Sequence, residues 1–434
     1  MQGVLWVLIG SVAVYAGFKV VIISDPQLAA EVLDRTKTPH TIDKPTEPQF
    51  YKMMDENQAF DVIGEFGFSK DYRATTDLWN GSGARACLAL KKAMICAVEK
   101  TRMPHARIPY TPLWHKNQQS KQALLSIFRN LLKEVQARGA PAEQDNSIAA
   151  HLMRTRDDQG RPIPDVRIWS EMSIFFFAGT PRVETTGHTV AWILYMISQH
   201  PEVEAKVVKE LEELQLLASP ECPAPRQLEY TDLSKLTYLT CCIKESMRLY
   251  PVVPMIFRNA MRKQRIGRYT VPKGAFFIIH IMATHTSDLY WERAADFLPE
   301  RWLDPDCEYA RPIDPASRYV PTGPADLFAA DKPVNGHPNG SHNGHTAHEP
   351  HKQAHRVKRW FPYGEGNRQC IGMPLARINL QASVASLLSA FSFKLADEMG
   401  GAEGVSKAEA YNITLSPGNG LMMHCIPHAK GIST

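Results

Sequence analysis

The sequence has little that would tie it to a metal cluster, to nucleic acid or to a membrane-spanning helix. Its eight cysteines lie scattered at 87, 96, 222, 241, 242, 307, 370 and 425 with no CxxC pair. Neither a zinc site nor a disulfide framework is suggested, and a reducing compartment fits best. Charge of one sign is scarce: a net +4 is too mild to draw the chain to nucleic acid, and no such partner is expected. No internal repeat of solenoid period is visible. The uncharged stretch 4–18 has 15 residues, short of the roughly 20 needed to cross a bilayer. Extending it through Lys19 to residue 23 reaches that length at the cost of one charge. No charge precedes it, which argues against a signal peptide. Residues 1–17 are therefore expected to form a short membrane-facing segment, 18–24 a buried strand ended by Asp25-Pro26, and 27–34 a helix.

What is present reads as globular. At 434 residues, with 44% hydrophobic and 22% charged residues, the chain can bury a large core as one domain or two smaller ones. Residues 49–106 have weak periodicity. Residues 118–138 form an amphipathic helix with Leu124, Leu125, Phe128, Leu131, Leu132 and Val135 on one face. Apolar helices are predicted over 166–179 and 184–199, an exposed charge-paired helix over 201–214, and another helix over 233–249, ended before Pro251. Strands are predicted at 269–271 and 275–279 around a Pro272-Lys273-Gly274 turn, and a last apolar helix at 373–389. Residues 331–358 are rich in Gly, Asn, Pro and six His (337, 342, 345, 348, 351, 355). Such a tract reads as metal-binding or as a disordered insertion, and its composition favours the insertion.

The most informative run is Phe361-Pro-Tyr-Gly-Glu-Gly-Asn-Arg-Gln-Cys-Ile-Gly372. It sets Cys370 in a glycine-rich loop just before a helix. A helix N-terminus favours a thiolate, and the glycines allow close backbone approach to a flat partner. Two readings are open: a structural thiol, or a ligand to haem iron. Elsewhere, Glu245 and Arg248 at i, i+3 can pair, either as an ordinary surface ion pair or as part of a network.

The Cys loop resembles the haem-ligand loop of the cytochrome P-450 family at Gly364, Gly366, Arg368, Cys370 and Gly372; Tyr363 stands where that family usually has Phe. Glu245-Ser-Met-Arg248 and Phe297-Leu-Pro-Glu-Arg-Trp302 resemble its Glu-x-x-Arg and Pro-Glu-Arg-Phe motifs, with Trp302 in the Phe place. The resemblance implies haem b held by Cys370, with Tyr363 and Gly372 beside it. It implies a buried network of Glu245, Arg248 and Arg301 supporting the loop, and haem propionates held by Arg368 and Arg258. Arg258, in Val253-Pro-Met-Ile-Phe-Arg258, reads equally as a surface charge. Phe175-Phe-Phe-Ala-Gly-Thr180 resembles the start of the family's oxygen-binding helix. Its acid and alcohol, Glu184 and Thr185, come three residues late, after the inserted Pro181-Arg182-Val183. Three extra residues turn the remainder of the helix by about 300° unless a kink or bulge absorbs them. Thr185 reads otherwise as a helix alcohol bonded to its own backbone.

The implied fold is mainly α with small β-sheets, a triangular cytochrome P-450-like domain over 18–434. It is expected to be incomplete in its N-terminal third, because no Trp-Arg-x-x-Arg segment is found and Trp79 and Trp114 lack such neighbours. The implied activity is a microsomal-type monooxygenase acting on an apolar small molecule, with electrons from an NADPH-dependent flavoprotein reductase. That partner would dock on a basic face of Lys352, Arg356, Lys358 and Arg359. The implied location is the cytosolic face of the endoplasmic reticulum, with a plastid left open. An isomerase or dehydratase of the same family, needing no reductase, and a degenerate non-catalytic haem-binding protein are the alternatives.

Overall fold

The computed structural model describes residues 12–15, 18–23, 29, 42–43, 110–139, 144–179, 182–217, 226–266, 269–309, 358–411, 414–418 and 420–428. The expected helix at 27–34 apart from Ala29, all of 49–106, and the His-rich tract up to residue 357 lie outside the described residues. The described helices are α1 (Pro112–Ala137), α2 (Ile148–Arg154), α3 (Asp165–Gly179), α4 (His188–Ser198), α5 (Pro201–Glu213), α6 (Thr237–Leu249), α7 (Ile281–His285), α8 (Met373–Ala390) and α9 (Gly401–Lys407). The strands are β1 (Val12–Tyr15), β2 (Phe18–Ile23), β3 (Ile42–Asp43), β4 (Met255–Ala260), β5 (Gln264–Ile266) and β6 (Tyr269–Val271). They continue with β7 (Phe276–His280), β8 (Phe391–Leu395), β9 (Glu409–Tyr411), β10 (Leu415–Pro417) and β11 (Met423–Pro427). The domain is mainly helical with small sheets, as expected. Among the described residues no helix is long and apolar enough to cross a membrane. Residues 12–15, the end of the segment expected to face a membrane, form strand β1.

The chain divides into two compact units. One comprises 46–191 and 403–420. Its α1 starts six residues earlier than hydrophobic periodicity indicates. Thr111 accepts a hydrogen bond from Trp114 N (3.2 Å) and Pro112 occupies the first turn, a start signal that lies outside the apolar stripe. Leu131, Leu132 and Val135 are buried as predicted. Helix α2, not anticipated, is capped by Ser147, which accepts from Ala150 N at 3.2 Å. Between α3 and α4 the chain runs as a π-helical turn, Arg182–Gly187.

The other unit comprises 1–45, 192–402 and 421–434. Its five-stranded sheet has the order β1-β2-β7-β4-β3; β2 runs parallel to β7, and the other neighbours are antiparallel. Central β7 alternates as a half-buried strand should, with Phe277 and Ile279 fully buried. They join Ile266, Val271, Ile281 and Phe361 in one core cluster. Phe361 opens the Cys370 loop, so the sheet core and that loop share a side chain. Helix α6 buries eight of its residues, among them Glu245 and Arg248, and packs against α5, α7, α8 and the 3-10 turn Pro299–Leu303.

Because Phe277 is fully enclosed on the central strand, Phe277→Ala is expected to cost about 3–5 kcal/mol. A urea titration followed by tryptophan fluorescence measures it. A loss below about 1 kcal/mol would mean the sheet is not the core of this unit.

Candidate functional site

Glu245 lies at 0% exposure on α6, and its carboxylate takes five donors. Oε1 accepts from Arg248 Nη2 (2.9 Å), Leu298 N (3.0 Å) and Arg301 Nε (3.0 Å); Oε2 accepts from Arg248 Nε (3.0 Å) and Trp302 Nε1 (2.8 Å). Arg248, also at 0%, gives its remaining hydrogens to the backbone oxygens of His285 (2.8 Å), Ala294 (2.7 Å) and Asp296 (2.9 Å). Arg301 binds the carbonyls of Glu292 (3.1 Å) and Arg293 (3.2 Å). The surface-pair reading of Glu245 and Arg248 is therefore overturned. The Trp302 indole, in the family's Phe place, adds a donor that Phe lacks.

The Cys370 loop is fixed to this network at several points. Phe361 N donates to His285 Nε2 at 3.0 Å, and the two rings meet edge to face with centroids 5.5 Å apart. Arg359 lies over the Trp291 ring at 4.0 Å; it donates from Nε to Cys307 O (2.9 Å) and also binds the Tyr290 carbonyl. Arg359, expected on a basic docking face, is half-buried, with its guanidinium engaged by Trp291, Cys307 and Tyr290. Lys358 pairs with Glu365 at 3.1 Å, and Lys352 and Arg356 lie outside the described residues. Gly364 N closes a turn on Phe361 O (2.9 Å), and Cys370 N donates to Tyr363 O (2.9 Å). Gly364 (φ 70°) and Gly366 (φ 79°) sit in the left-handed region, where other residues are strained. Gly372, at φ −81°, has no such need; a Cβ there would lie 3.8 Å from Cys370 Sγ, so glycine keeps one side of the sulfur clear.

Cys370 is exposed, two residues before Gly372, the N-cap of α8. No side chain caps that end, so the positive end of an 18-residue helix faces the thiol region. Beside it Ile371 is 76% exposed and Leu375 42% exposed. A thiol flanked by uncovered aliphatic side chains and preceded by positive-φ glycines suits a flat, largely apolar macrocycle carrying a metal, and haem fits that description. Arg368 is exposed at the end of the turn Gly366–Arg368. Arg258 is only 3% exposed, which overturns its reading as a surface charge; Nη1 donates to Phe257 O at 2.8 Å. It shares a face of β4 with Ile256, whose Cδ1 would lie 3.7 Å from a Cβ on Gly364. Tyr363 directs its hydroxyl to Met247 Sδ at 3.7 Å. Burial pushes the phenol up to about 12, with the nearby Arg377 guanidinium opposing.

Glu184 and Thr185 fall in the π-helical turn of the other unit, and Thr185 is half-buried. Its carbonyl accepts from Thr189 Oγ1 at 2.6 Å. Two of the three inserted residues, Arg182 and Val183, lie within this widened helical turn, and Pro181 lies outside the described residues. His285 was missed by sequence reasoning: a lone histidine ending a five-residue helix carries no signal that its ring caps a distant amide.

A mainly helical domain that presents one thiol on a glycine loop, braced by a buried Glu–Arg network, has the design of a haem-thiolate protein. The Cytochrome P-450 family model matches residues 58–321 and 345–406, well over half of the chain. The chain belongs to the cytochrome P-450 family, whose members hold haem iron through a cysteine thiolate. It is 29% identical over 233 residues to cytochrome P-450 3A14 of Cavia porcellus, covering 54% of this chain and 35% of that protein. It is 36% identical over 157 residues to cytochrome P-450 4F4 of Rattus norvegicus, covering 36% and 28%. It is 27% identical over 215 residues to the mitochondrial 1,25-dihydroxyvitamin D(3) 24-hydroxylase of Mus musculus, covering 50% and 32%. The matched part of the chain spans about a third of the length of these relatives.

Glu245→Gln removes the charge that balances buried Arg248, with an expected loss of about 3–5 kcal/mol in urea unfolding. Trp302→Phe deletes one charge-assisted donor and should cost about 1–3 kcal/mol. Equal losses for the two would contradict the central place of Glu245.

His285 is fully buried, and burial pushes its imidazole down to about 3, with the Arg248 charge adding and the Met247 backbone opposing. Between the ordinary value of 6.5 and about 3 the unfolded chain holds a proton that the folded chain does not. Stability contributed by neutral His285 is therefore complete above about pH 6.5 and lost as pH falls, by at most about 1.4 kcal/mol per pH unit. His285→Gln should flatten the fall in unfolding free energy between pH 6 and pH 4 by about one proton's worth. An unchanged slope would refute the buried neutral ring.

Proposed function

We propose that the chain binds haem b through the Cys370 thiolate and inserts one oxygen atom from O2 into an apolar organic substrate. The other atom leaves as water, and an NADPH-dependent flavoprotein reductase supplies the electrons. One observation carries this reading: an exposed thiol beside the positive end of α8, on a loop tied to a buried ion network. Thiolate-ligated haem supplies dioxygen activation, because the thiolate pushes electron density toward O–O cleavage. The chain supplies the rest. Glu245, Arg248 and Arg301 hold the loop in place without touching reacting atoms. Gly372 keeps the sulfur uncrowded, and Tyr363 fixes the Cys370 amide through its carbonyl. Arg368 and Arg258 pair with the propionates, where a guanidinium fork matches a carboxylate. Glu184 and Thr185 deliver the protons that oxygen reduction consumes, Thr185 through its hydroxyl. The working location is the cytosolic face of the endoplasmic reticulum.

A second reading, a same-family isomerase or dehydratase that needs no reductase, is favoured by Arg359. That half-buried residue already has its guanidinium engaged by Cys307 and Trp291. Turnover of a peroxide substrate without NADPH would decide for it.

The test of the ligand is spectral. The reduced protein with carbon monoxide is expected to show the long-wavelength Soret band from which the family takes its name, and Cys370→Ser to abolish it. A band at shorter wavelength in the unaltered protein, or persistence of the long-wavelength band in Cys370→Ser, would overturn the assignment.

A further inference from the structure

We infer that His285 is a positioning residue for the thiol loop: its imidazole is the strut through which the buried Glu245–Arg248 pair sets where Cys370 stands. The connection is continuous. Arg248 Nη1 holds the His285 carbonyl at 2.8 Å, which fixes the backbone at the end of α7. From there the ring reaches across 76 residues of sequence and accepts the Phe361 amide at 3.0 Å. It also packs edge to face on the Phe361 ring. Phe361 O receives Gly364 N, and two residues further along the turn Tyr363 O receives Cys370 N, both at 2.9 Å. The amide is a donor, so Nε2 carries no proton and the neutral ring must be the Nδ1–H tautomer.

Other contacts hold the loop's flanks. Arg359 ties the preceding residues to Cys307, and the Phe361 side chain sits in the sheet core. The imidazole alone joins a backbone group at the start of the loop to the residue that Arg248 pins, among the described hydrogen bonds. A buried amide with no acceptor is costly, so losing this acceptor releases the turn rather than leaving it in place unsatisfied. The structural claim stands without haem; its consequence for the ligand rests on Cys370 as proposed above.

Two variants separate the strut from general packing. Gln at 285 offers an amide oxygen at the same reach as Nε2, whereas Asn offers one only at the reach of Nδ1. Both are polar and close in size. Amide hydrogen exchange read by mass spectrometry on the full chain without haem is expected to quicken about tenfold over residues 361–372 in His285→Asn. It should change little in His285→Gln, and peptides of α6 should keep their rate in both. With haem bound, His285→Asn should show a larger short-wavelength fraction in the carbon monoxide spectrum and His285→Gln should not. Equal behaviour of the two variants, or quickening that spreads equally to α6, would overturn the strut. Where neither variant folds, the ring ¹⁵N shifts of the unaltered protein decide: the Nδ1–H tautomer upholds the strut and Nε2–H overturns it. If the unaltered protein takes up no haem, the ligand reading fails, while the exchange and tautomer results still judge the strut.

Discussion

A carboxylate and a guanidinium at zero exposure constrain everything around them. Taking such a pair out of water costs several kcal/mol per ion, and mutual attraction offsets this only when the remaining lone pairs and hydrogens are also bonded. Glu245 meets that condition with five donors, and Arg248 with two carboxylate bonds and three carbonyls. Their partners come from α6, from the end of α7, and from the stretch 292–302. None of these segments is close in sequence to all the others. Satisfying both ions draws 285–302 around α6, so the pair constrains the conformation of that stretch. The Trp302 indole fits the same logic: an extra donor to Oε2 fills acceptor capacity that a hydrocarbon ring would leave open.

The thiol loop inherits its position from that constraint. Its start is set by His285 and Arg359, its middle turns on Gly364 and Gly366 at positive φ, and its end enters α8. Its exposed residues include Cys370 and Ile371, with Asn367 and Arg368 before them and Leu375 in the first turn of α8. Leaving large aliphatic groups in water forgoes about 25 cal/mol for each Å² of apolar surface left uncovered, which a flat apolar partner recovers on binding. The rigid support and the exposed apolar rim are therefore complementary: the first holds the sulfur, the second favours what it would hold.

Much of this was legible in the sequence, and the failures have physical causes. The i, i+3 spacing of Glu245 and Arg248 follows from helical periodicity, and α3 to α6 and α8 are placed to within a residue at each end, except where α4 and α6 begin, each four residues after the predicted start. The start of α1 was missed because the cap at Thr111 lies outside the apolar stripe that marked the helix. Arg258 and Arg359 could not be assigned to inside or outside from composition, since their burial depends on the β4–β7 pairing and on a Trp291 ring 68 residues away. His285 was invisible for a related reason. Its partner is a backbone amide, and backbone groups leave no trace in residue identity.

The two halves of the proposed chemistry stand on unequal footing. The ligand loop is held at its start by the His285 and Arg359 contacts and within itself by the Phe361–Gly364 and Tyr363–Cys370 bonds. The segment carrying Glu184 and Thr185 is a π-helical turn between two α-helices, just after an inserted proline, and π turns are a costlier way to run a helix than α turns. Such turns persist where something outweighs their cost, and functional sites are a frequent reason. In the proposed chemistry, residues 182–187 bear on how oxygen is used, and Cys370 on whether haem is held.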